Sequence, residues 1–449
     1  MRTNRDVMDG KLKYKVFWSW DHSTNWTLNQ LGTQNCGVAN VYTKSPETFV
    51  KDYKRAVDWS HGNGIDAVGI VGLLRDRHGG IEAVRRLCEY ANDHDVRIYM
   101  IAGLYSYGGI YYEGDSKWSL DNFFRDNPDC IGVDGNGKQL WIDRQSPWGF
   151  KPDPQGCPTN PKLNQFVLDS LEWVFKEIPE LGGIQMESGD CGTCQCPRCR
   201  ERRASRDANE AMSVADMANI YPQAAEAVWS QSPDAWVICE TYHHFLDKAC
   251  SCFYDSEPSA DIQRLLDMPE KTFFQWKCDV RLDSGQWSEN DRLPASLTKF
   301  RHIMRSHTGT QWWGGRHKLC IDRIRRQCRL SFESGINGVS MFGESSPFNA
   351  NDEFNYLAFQ YFADSPFSSV DNFVTDIMAP RLGGKENAEL YLNFGRFPDF
   401  PQNIPWGVTQ IGKLLGKFSM KDYDIIRRWE WLASFLNSFY WEWRSGKEN

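Results

Sequence analysis

The chain has 449 residues, of which 41% are hydrophobic and 24% charged, with a formal net charge of −8 at pH 7. That is the composition of a globular protein, and its acidic balance argues against a nucleic-acid groove, because phosphate binding requires a basic surface. No run reaches the roughly 18 consecutive apolar residues of a membrane span, so neither nucleic acid nor membrane is an expected partner.

In chain order, Tyr14–Trp20 (YKVFWSW) is an apolar run ending in Asp21 and His22, and reads as a first buried strand. Residues 45–62 carry an amphipathic helical pattern, with Pro46 at a first helical position and Gly62 and Gly64 stopping it. The nearly continuous apolar runs 65–72 and 96–104 are of the kind a parallel sheet buries on both faces, with a helix over 80–94 between them. Segment 105–158 then breaks the rhythm. Rich in Gly, Trp, Asp and Pro, it is too long for a simple connection and marks a functional insertion after strand three.

The alternation resumes with a helix over 160–180 and a strand over 183–186. Helices over 213–230, 259–267, 294–307 and 319–334 precede strands over 235–240, 272–276, 310–313 and 338–342, and a helix over 352–363 closes the series. Eight strand–helix units in order imply a parallel sheet with right-handed crossovers, and the count is that of a closed (β/α)₈ barrel. A doubly wound open sheet is the competing fold, but no G-x-G-x-x-G follows the first strand. The expected architecture is therefore α/β, a TIM barrel over 1–366 with a helical C-terminal subdomain over 367–449 packed on it. Four helices are expected there, over 369–382, 386–395, 406–418 and 422–443.

In such a barrel, reactive groups stand at the C-terminal ends of the strands. Carboxylates fall at that rim after strands one, four, five, six and eight: Asp21, Glu187, Glu240, Asp279 and Glu344. Glycosidic cleavage needs one carboxylic acid to protonate the leaving oxygen and another carboxylate to attack the anomeric carbon or activate water. Glu187 is the expected acid/base, since it directly follows the apolar run GGIQM. Its catalytic partner is open among Glu344, Glu240 and Asp279, the last beside Arg281, which would keep it ionised. Any one of these could instead be a structural carboxylate bonded to loop amides. Clustered acids and histidines could also hold a divalent metal, but there is no H-E-x-x-H motif. Strand seven is expected to end in Trp-Trp-Gly-Gly without an acid, unlike the pattern of paired glutamates on strands four and seven.

Expected substrate contacts on the same rim are Asp21, His22, Arg75, Tyr105, His243, His244, Arg281, Trp312, Trp313, Arg316 and His317. The 19 Trp exceed what core filling needs, and flat amphipathic rings suit sugar faces. Together with Arg77 and Arg144 these arginines would make the rim locally cationic. Guanidinium forks recognise carboxylates and sulfates, which raises an anionic, uronic acid-containing sugar as substrate. Solvated or salt-bridged arginines are the alternative.

After strand four comes C-x₂-C-x-C-x₂-C, formed by Cys191, Cys194, Cys196 and Cys199. Such pairs have zinc-ligand spacing, and basic neighbours Arg198, Arg200, Arg202 and Arg203 would favour thiolates. One ion wrapped by four cysteines within nine residues would be tight, so another residue could replace one ligand. Structural zinc, packed free thiols and disulfides all remain open, and no cofactor is expected for catalysis. The 14 Cys as a whole lack the pattern of a small disulfide scaffold. With no apolar leader in MRTNRDVMDGKLKYKVFW, the expected location is the cytoplasm, or the exterior or periplasm with a leader removed.

Segments 121–144 (DNFFRDNPDCIGVDGNGKQLWIDR) and 157–190 (CPTNPKLNQFVLDSLEWVFKEIPELGGIQMESGD) resemble a broad group of barrel glycoside hydrolases. The run DCGTCQCPRC looks like the C-x-C-x-x-C that follows strand four in uncharacterised families near the hexosaminidases and α-glucuronidases. FGESSPFNANDEFNYLAFQYFADSP, at strand eight, is similar to the same group. The resemblance spans roughly residues 10–400 at the level of pattern. It implies a carbohydrate-active barrel with Glu187 as acid/base and Glu344 as an acid of the substrate pocket. The adjacent Asp-Glu pair of true hexosaminidases is missing from this sequence, which departs from their substrate-assisted mechanism. The expected activity is hydrolysis of an oligo- or polysaccharide. A polysaccharide lyase and a non-catalytic sugar-binding barrel are the alternatives.

Overall fold

In the computed structural model, eight parallel strands close into a barrel: β1 (Tyr14–Trp20), β2 (Ala67–Val71), β3 (Arg97–Gly103), β6 (Gly183–Glu187), β7 (Trp236–His244), β8 (Phe273–Lys277), β9 (Arg301–Arg305) and β10 (Gly338–Phe342), which pairs back to β1. The hairpin β4 (Trp141–Ser146) and β5 (Gly149–Pro154) lies in the insertion between β3 and β6. The described residues are 10–21, 24, 26, 44–146, 149–187, 192–203, 213–244, 253, 257–285, 292–308, 317–347 and 349–448.

The two faces of each strand explain why these runs are almost wholly apolar. Alternate residues such as Phe17, Val68, Ile70, Met100, Ile184, Val237, Phe274 and Met341 face the surrounding helices, in one continuous apolar cluster. The other set fills the barrel itself. Its lower end is plugged by Tyr14, Trp236 and Phe273, whose rings lie 4.8–5.5 Å apart. Above them Tyr99 occupies the space over Gly69, where a Cβ would collide with its ring. Higher still the filling becomes polar, with Gln185, Gln275 and Ser340 fully buried.

Helices begin where the sequence provides caps. Ser45 accepts from Thr48 N ahead of Pro46–Gly62, Asn160 caps Pro161–Glu177, and Ser213 with Asp216 forms a capping box on Val214–Gln231. The C-terminal helices Lys385–Gly395, Ile404–Leu415 and Tyr423–Glu448 follow a helical stretch whose middle, Val374–Met378, is a π-helical turn. Trp429, Leu432 and Leu436 are buried in the same cluster as the barrel's outer layer. Arg428 grips Glu353 of helix Ala350–Asp364 with two bonds of 2.7 and 2.9 Å.

One strand is misplaced by the sequence pattern. The run 294–307, read above as a helix, is a single 3₁₀ turn (Ala295–Leu297) followed by β9, and it is β9 that is strand seven. Its sequence, RHIMR, hides the strand because most of its polar residues are buried. Arg301 lies over the Phe273 ring, His302 bonds Leu297 O, and Arg305 points into the barrel mouth. Strand seven therefore ends in Arg305 and not in Trp-Trp-Gly-Gly. The run 310–313 lies outside the described residues.

Candidate active site

β6 and β7 are neighbours, and each carries a glutamate into the barrel, Glu187 at the last position of β6 and Glu240 midway along β7. Glu187 ends β6 and Glu240 stands next in register to Gln275 of β8. Both are buried, with relative exposures of 4% and 1%. Gln185, one turn of the pleat below Glu187, points the same way, and its Nε2 donates to Glu187 Oε1 at 3.0 Å and to Glu240 Oε2 at 3.2 Å. Two oxygens sharing one donor at those lengths are at most about 6 Å apart. Arg305 joins them from β9: its Nη1 lies 2.5 Å from Glu240 Oε1 and 3.6 Å from Glu187 Oε1. The guanidinium also sits over the Trp18 ring, 4.9 Å from its centroid. Trp18 in turn packs on Phe342 and Trp20, and Trp20 on Tyr107, giving the mouth an aromatic wall.

Two uncompensated carboxylates could not share this space, because desolvation and mutual repulsion both oppose ionisation. Arg305 supplies the missing positive charge. The electrostatic influence extends to Tyr99, whose phenol is held far above its usual range by burial first and by Glu240 and Glu187 second. Tyr221 steadies the same corner from behind, donating to Glu240 O at 2.6 Å.

A second layer holds the arginine. His307 Nε2 is 3.4 Å from Arg305 Nη2, while its Nδ1 is 2.6 Å from Asp279 Oδ2. Asp279 also accepts from His307 N at 2.9 Å and from Arg323 Nη2 at 2.8 Å, and Arg323 pairs further with Asp283. Burial is the largest influence on Asp279 and would raise its pKa. Together His307 and Arg323 overcome it, so that the group titrates at about 2. His307 itself is shifted down, by burial first and by Arg305 among the charges. Its neutral form, donating from Nδ1 and accepting at Nε2, suits both contacts.

The remaining expected site residues divide. Glu344 is buried at the end of β10 and accepts from Trp20 N at 2.9 Å, tying the last strand to the first. Asp21 is fully enclosed: Lys44 Nζ, His78 Nδ1 and Arg75 Nε lie 3.0, 2.7 and 3.5 Å from its carboxylate. Burial would raise its pKa, but Lys44, His78 and Arg75 hold it well below the usual range. Arg75 is further engaged by Gly72 O and Glu113. Asp21 and Arg75 thus form a buried ionic knot beneath the rim, at variance with the expected substrate contact. Tyr105 also faces away from the mouth, its hydroxyl bonded to Asn164 of helix Pro161–Glu177. Arg281 lies on helix Asp279–Ser284 and borders an outer groove with Arg326, Arg329 and Glu333. His317 is buried with its Nδ1 2.6 Å from Asp352 Oδ2 and its ring against Phe435, so it serves the packing of the C-terminal helices. His22, Trp312, Trp313 and Arg316 lie outside the described residues, as do the side chains of His243 and His244 at the end of β7 and that of Arg144.

The residues missed from sequence are Gln185, Arg305, His307 and Arg323. Gln185 was legible in principle as a polar residue within the otherwise apolar GGIQM. Arg305 and His307 were concealed by the misread strand, and Arg323 lies on helix Ile321–Glu333, where its contact with Asp279 is not visible in sequence.

Beside β6, Cys157, Cys194, Cys196 and Cys199 place their sulfurs within 4.8 Å of one another, a group able to hold a metal ion. Cys157, from the insertion, takes the position expected of Cys191, which lies outside the described residues. The cysteines described are all free thiols.

No protein-family model matches the sequence, and no curated protein matches it significantly. Several solved structures align with the chain at low identity. A GH138 enzyme targeting pectin rhamnogalacturonan II aligns with TM-score 0.48 and 9% identity, over 89% of this chain but 45% of its own. A noncanonic maltogenic α-amylase from Thermotoga neapolitana aligns with TM-score 0.44 and 10% identity, over 78% of this chain and 76% of its own. The endo-1,4-β-mannanase from Rhizomucor miehei gives 0.41 and 10%, over 74% and 87%. Each is a likeness of the barrel fold alone. The chain spans less than half the length of the first of these. Among the described residues no helix is long and apolar enough to cross a membrane.

Proposed function

We propose that the protein is a glycoside hydrolase in which Glu187 and Glu240 are the working carboxylates. The observation that supports it is the pair itself: two buried glutamates on adjacent strands, at the C-terminal face of a TIM barrel, sharing Gln185 and Arg305. Glu240 has the shorter contact with Arg305, 2.5 Å against 3.6 Å for Glu187, and takes the part of the nucleophile. Glu187, at the strand's last position, is the acid that protonates the leaving oxygen and then activates water.

An oxygen separation of at most about 6 Å favours retention, since retaining pairs stand roughly 5–5.5 Å apart and inverting pairs roughly 6.5–9.5 Å. The reaction would then pass through a glycosyl ester on Glu240 and release the anomer of the starting configuration. The substrate class is an oligo- or polysaccharide, with Trp18, Trp20, Tyr107 and Phe342 shaping the wall that meets the sugar. Arg75 and Arg305 are already committed to carboxylates, so among the described residues the mouth favours a neutral sugar over a uronic acid. Hydrolysis by this route needs no cofactor.

The test is a screen against neutral and uronate-containing oligosaccharides with the wild type, Glu187→Gln and Glu240→Gln. Each variant should fold, bind sugar and lose about 10²–10⁴-fold or more in kcat. Unchanged turnover in either would refute the assignment. Binding without turnover by the wild type across the panel would point to a sugar-binding barrel, and an unsaturated, ultraviolet-absorbing product to a lyase.

A further inference from the structure

The cysteine group beside β6 has a geometry that no disulfide explains. Cys157 Sγ lies 3.6 Å from Cys199 Sγ and 3.8 Å from Cys196 Sγ, and all four sulfurs fall within 4.8 Å of one another. A disulfide would bring two sulfurs to about 2.05 Å. A zinc–thiolate bond is about 2.3 Å, and a tetrahedron built on such bonds has edges of about 3.8 Å. The 3.6 and 3.8 Å separations match such an edge, and the remaining ones lie within 4.8 Å. Three of the four cysteines are buried, so each would otherwise be an enclosed polar group of low hydrogen-bonding power.

The surroundings are also those of a metal centre. Val133 N points at Cys194 Sγ from 3.4 Å, and Thr159 Oγ1 lies 3.1 Å from Cys199 Sγ and 3.2 Å from Cys157 Sγ. Amide and hydroxyl donors of this kind fix thiolate ligands and spread their charge. Arg203, itself buried, holds Cys194 O at 2.6 Å. Gln195 N bonds Val133 O at 2.6 Å, so the two segments carrying the ligands also meet through their backbones.

We propose that Cys157, Cys194, Cys196 and Cys199 bind one structural zinc ion. Four sulfur ligands leave no open position, which is the signature of a structural site and not a catalytic one. The ion would cross-link the end of the 105–158 insertion to the loop leaving β6, seven residues after Glu187. It would thereby brace the exit of the strand that carries the acid. Zinc binding does not depend on the hydrolase reading.

The experiment is elemental analysis of the purified full chain, followed by titration with a mercurial reagent that displaces thiolate ligands. One zinc per chain, released in step with four thiols, is the expected result. Cys157→Ser and Cys199→Ser should each lose the metal, while Cys191→Ser should retain it. Folded wild type containing no zinc, or stoichiometric iron in its place, overturns the proposal. So does zinc that survives Cys157→Ser but not Cys191→Ser. If a serine variant fails to fold, the wild-type titration still decides, because release of zinc without loss of four thiols is incompatible with this ligand set.

Discussion

Arg305→Met is the most informative single change at the proposed site. Its Nη1 contacts both glutamates, at 2.5 and 3.6 Å, within a barrel mouth where all three side chains are almost fully buried. Two opposite charges near 4 Å, at an effective dielectric of about 20, attract by roughly 4 kcal/mol. Some of that gain is offset by the cost of burying the guanidinium. In the variant the two carboxylates also face each other without a counter-charge, which pushes the same way. The acidic limb of kcat/KM against pH reports the group that must be ionised in the free enzyme. That limb should move up, with activity lost on the acid side and partly recovered at higher pH. Arg305→Lys retains the charge without the fork and should move it less. Breaking such a buried pair costs about 3–5 kcal/mol, so urea unfolding has to accompany the kinetics. A folded variant whose activity falls equally at every pH would refute the idea that Arg305 acts on the pair through its charge.

His302 is held at about 4 by burial, with its Nε2 on Leu297 O and its Nδ1 facing the Trp276 indole at 3.2 Å. Its folded pKa lies below the unfolded value, so stability is complete above about pH 6.5 and should fall by about 3 kcal/mol as pH drops to 4; urea midpoints across that window check it, and His302→Gln should flatten the slope. Asp279 adds a separate window, because its stabilisation is present above the unfolded carboxylate value and is lost as pH falls towards about 2. Asp279→Asn should remove that acid-limb loss in the same titration. Gly69→Ala drives a methyl into the Tyr99 ring and should cost about 1–3 kcal/mol in urea unfolding, whereas a neutral result would mean that the ring can move aside. Arg428→Ala removes both bonds to Glu353 and should cost about 1.5–3 kcal/mol, with earlier proteolysis of the C-terminal helices as a second measure.

The barrel was legible because seven of its eight strands are apolar on both faces, and that is the sequence mark of a parallel sheet enclosed by helices. β6 illustrates it: GGIQM locates Glu187 at a strand exit without further help. β9 fails the same test for a physical reason. Its inward residues are Arg301, Ile303 and Arg305, two of them charged and both neutralised by groups far away in sequence: rings from β1 and β8, and carboxylates from β6 and β7. A periodicity of apolar residues cannot display partners 65 positions distant. The substrate list misled in a related way. Position at a strand end is visible in sequence, but side-chain direction is not. Asp21 stands at such an end yet turns into a buried contact with Lys44, while His317, expected at the end of strand seven, lies twelve residues beyond β9 and pairs with Asp352.

The same failure locates the chemistry. A barrel interior filled with aliphatic and aromatic side chains is the stable default, and this one abandons it only in its upper part. There Gln275 and Ser340 keep buried polar atoms without a hydrogen-bond partner among the described residues. Above them a connected series runs from Arg323 through Asp279, His307 and Arg305 to Glu240, Gln185 and Glu187. Buried ionic networks of this kind contribute little net stability, because desolvation offsets most of the attraction. Their retention in one layer, at one end of one barrel, is explained by what they do to Glu240 and Glu187. They hold two carboxylates side by side in a place from which water is largely excluded. A purely architectural network would have no need to bring two carboxylates together, and the arrangement is what the proposed pair of working carboxylates requires.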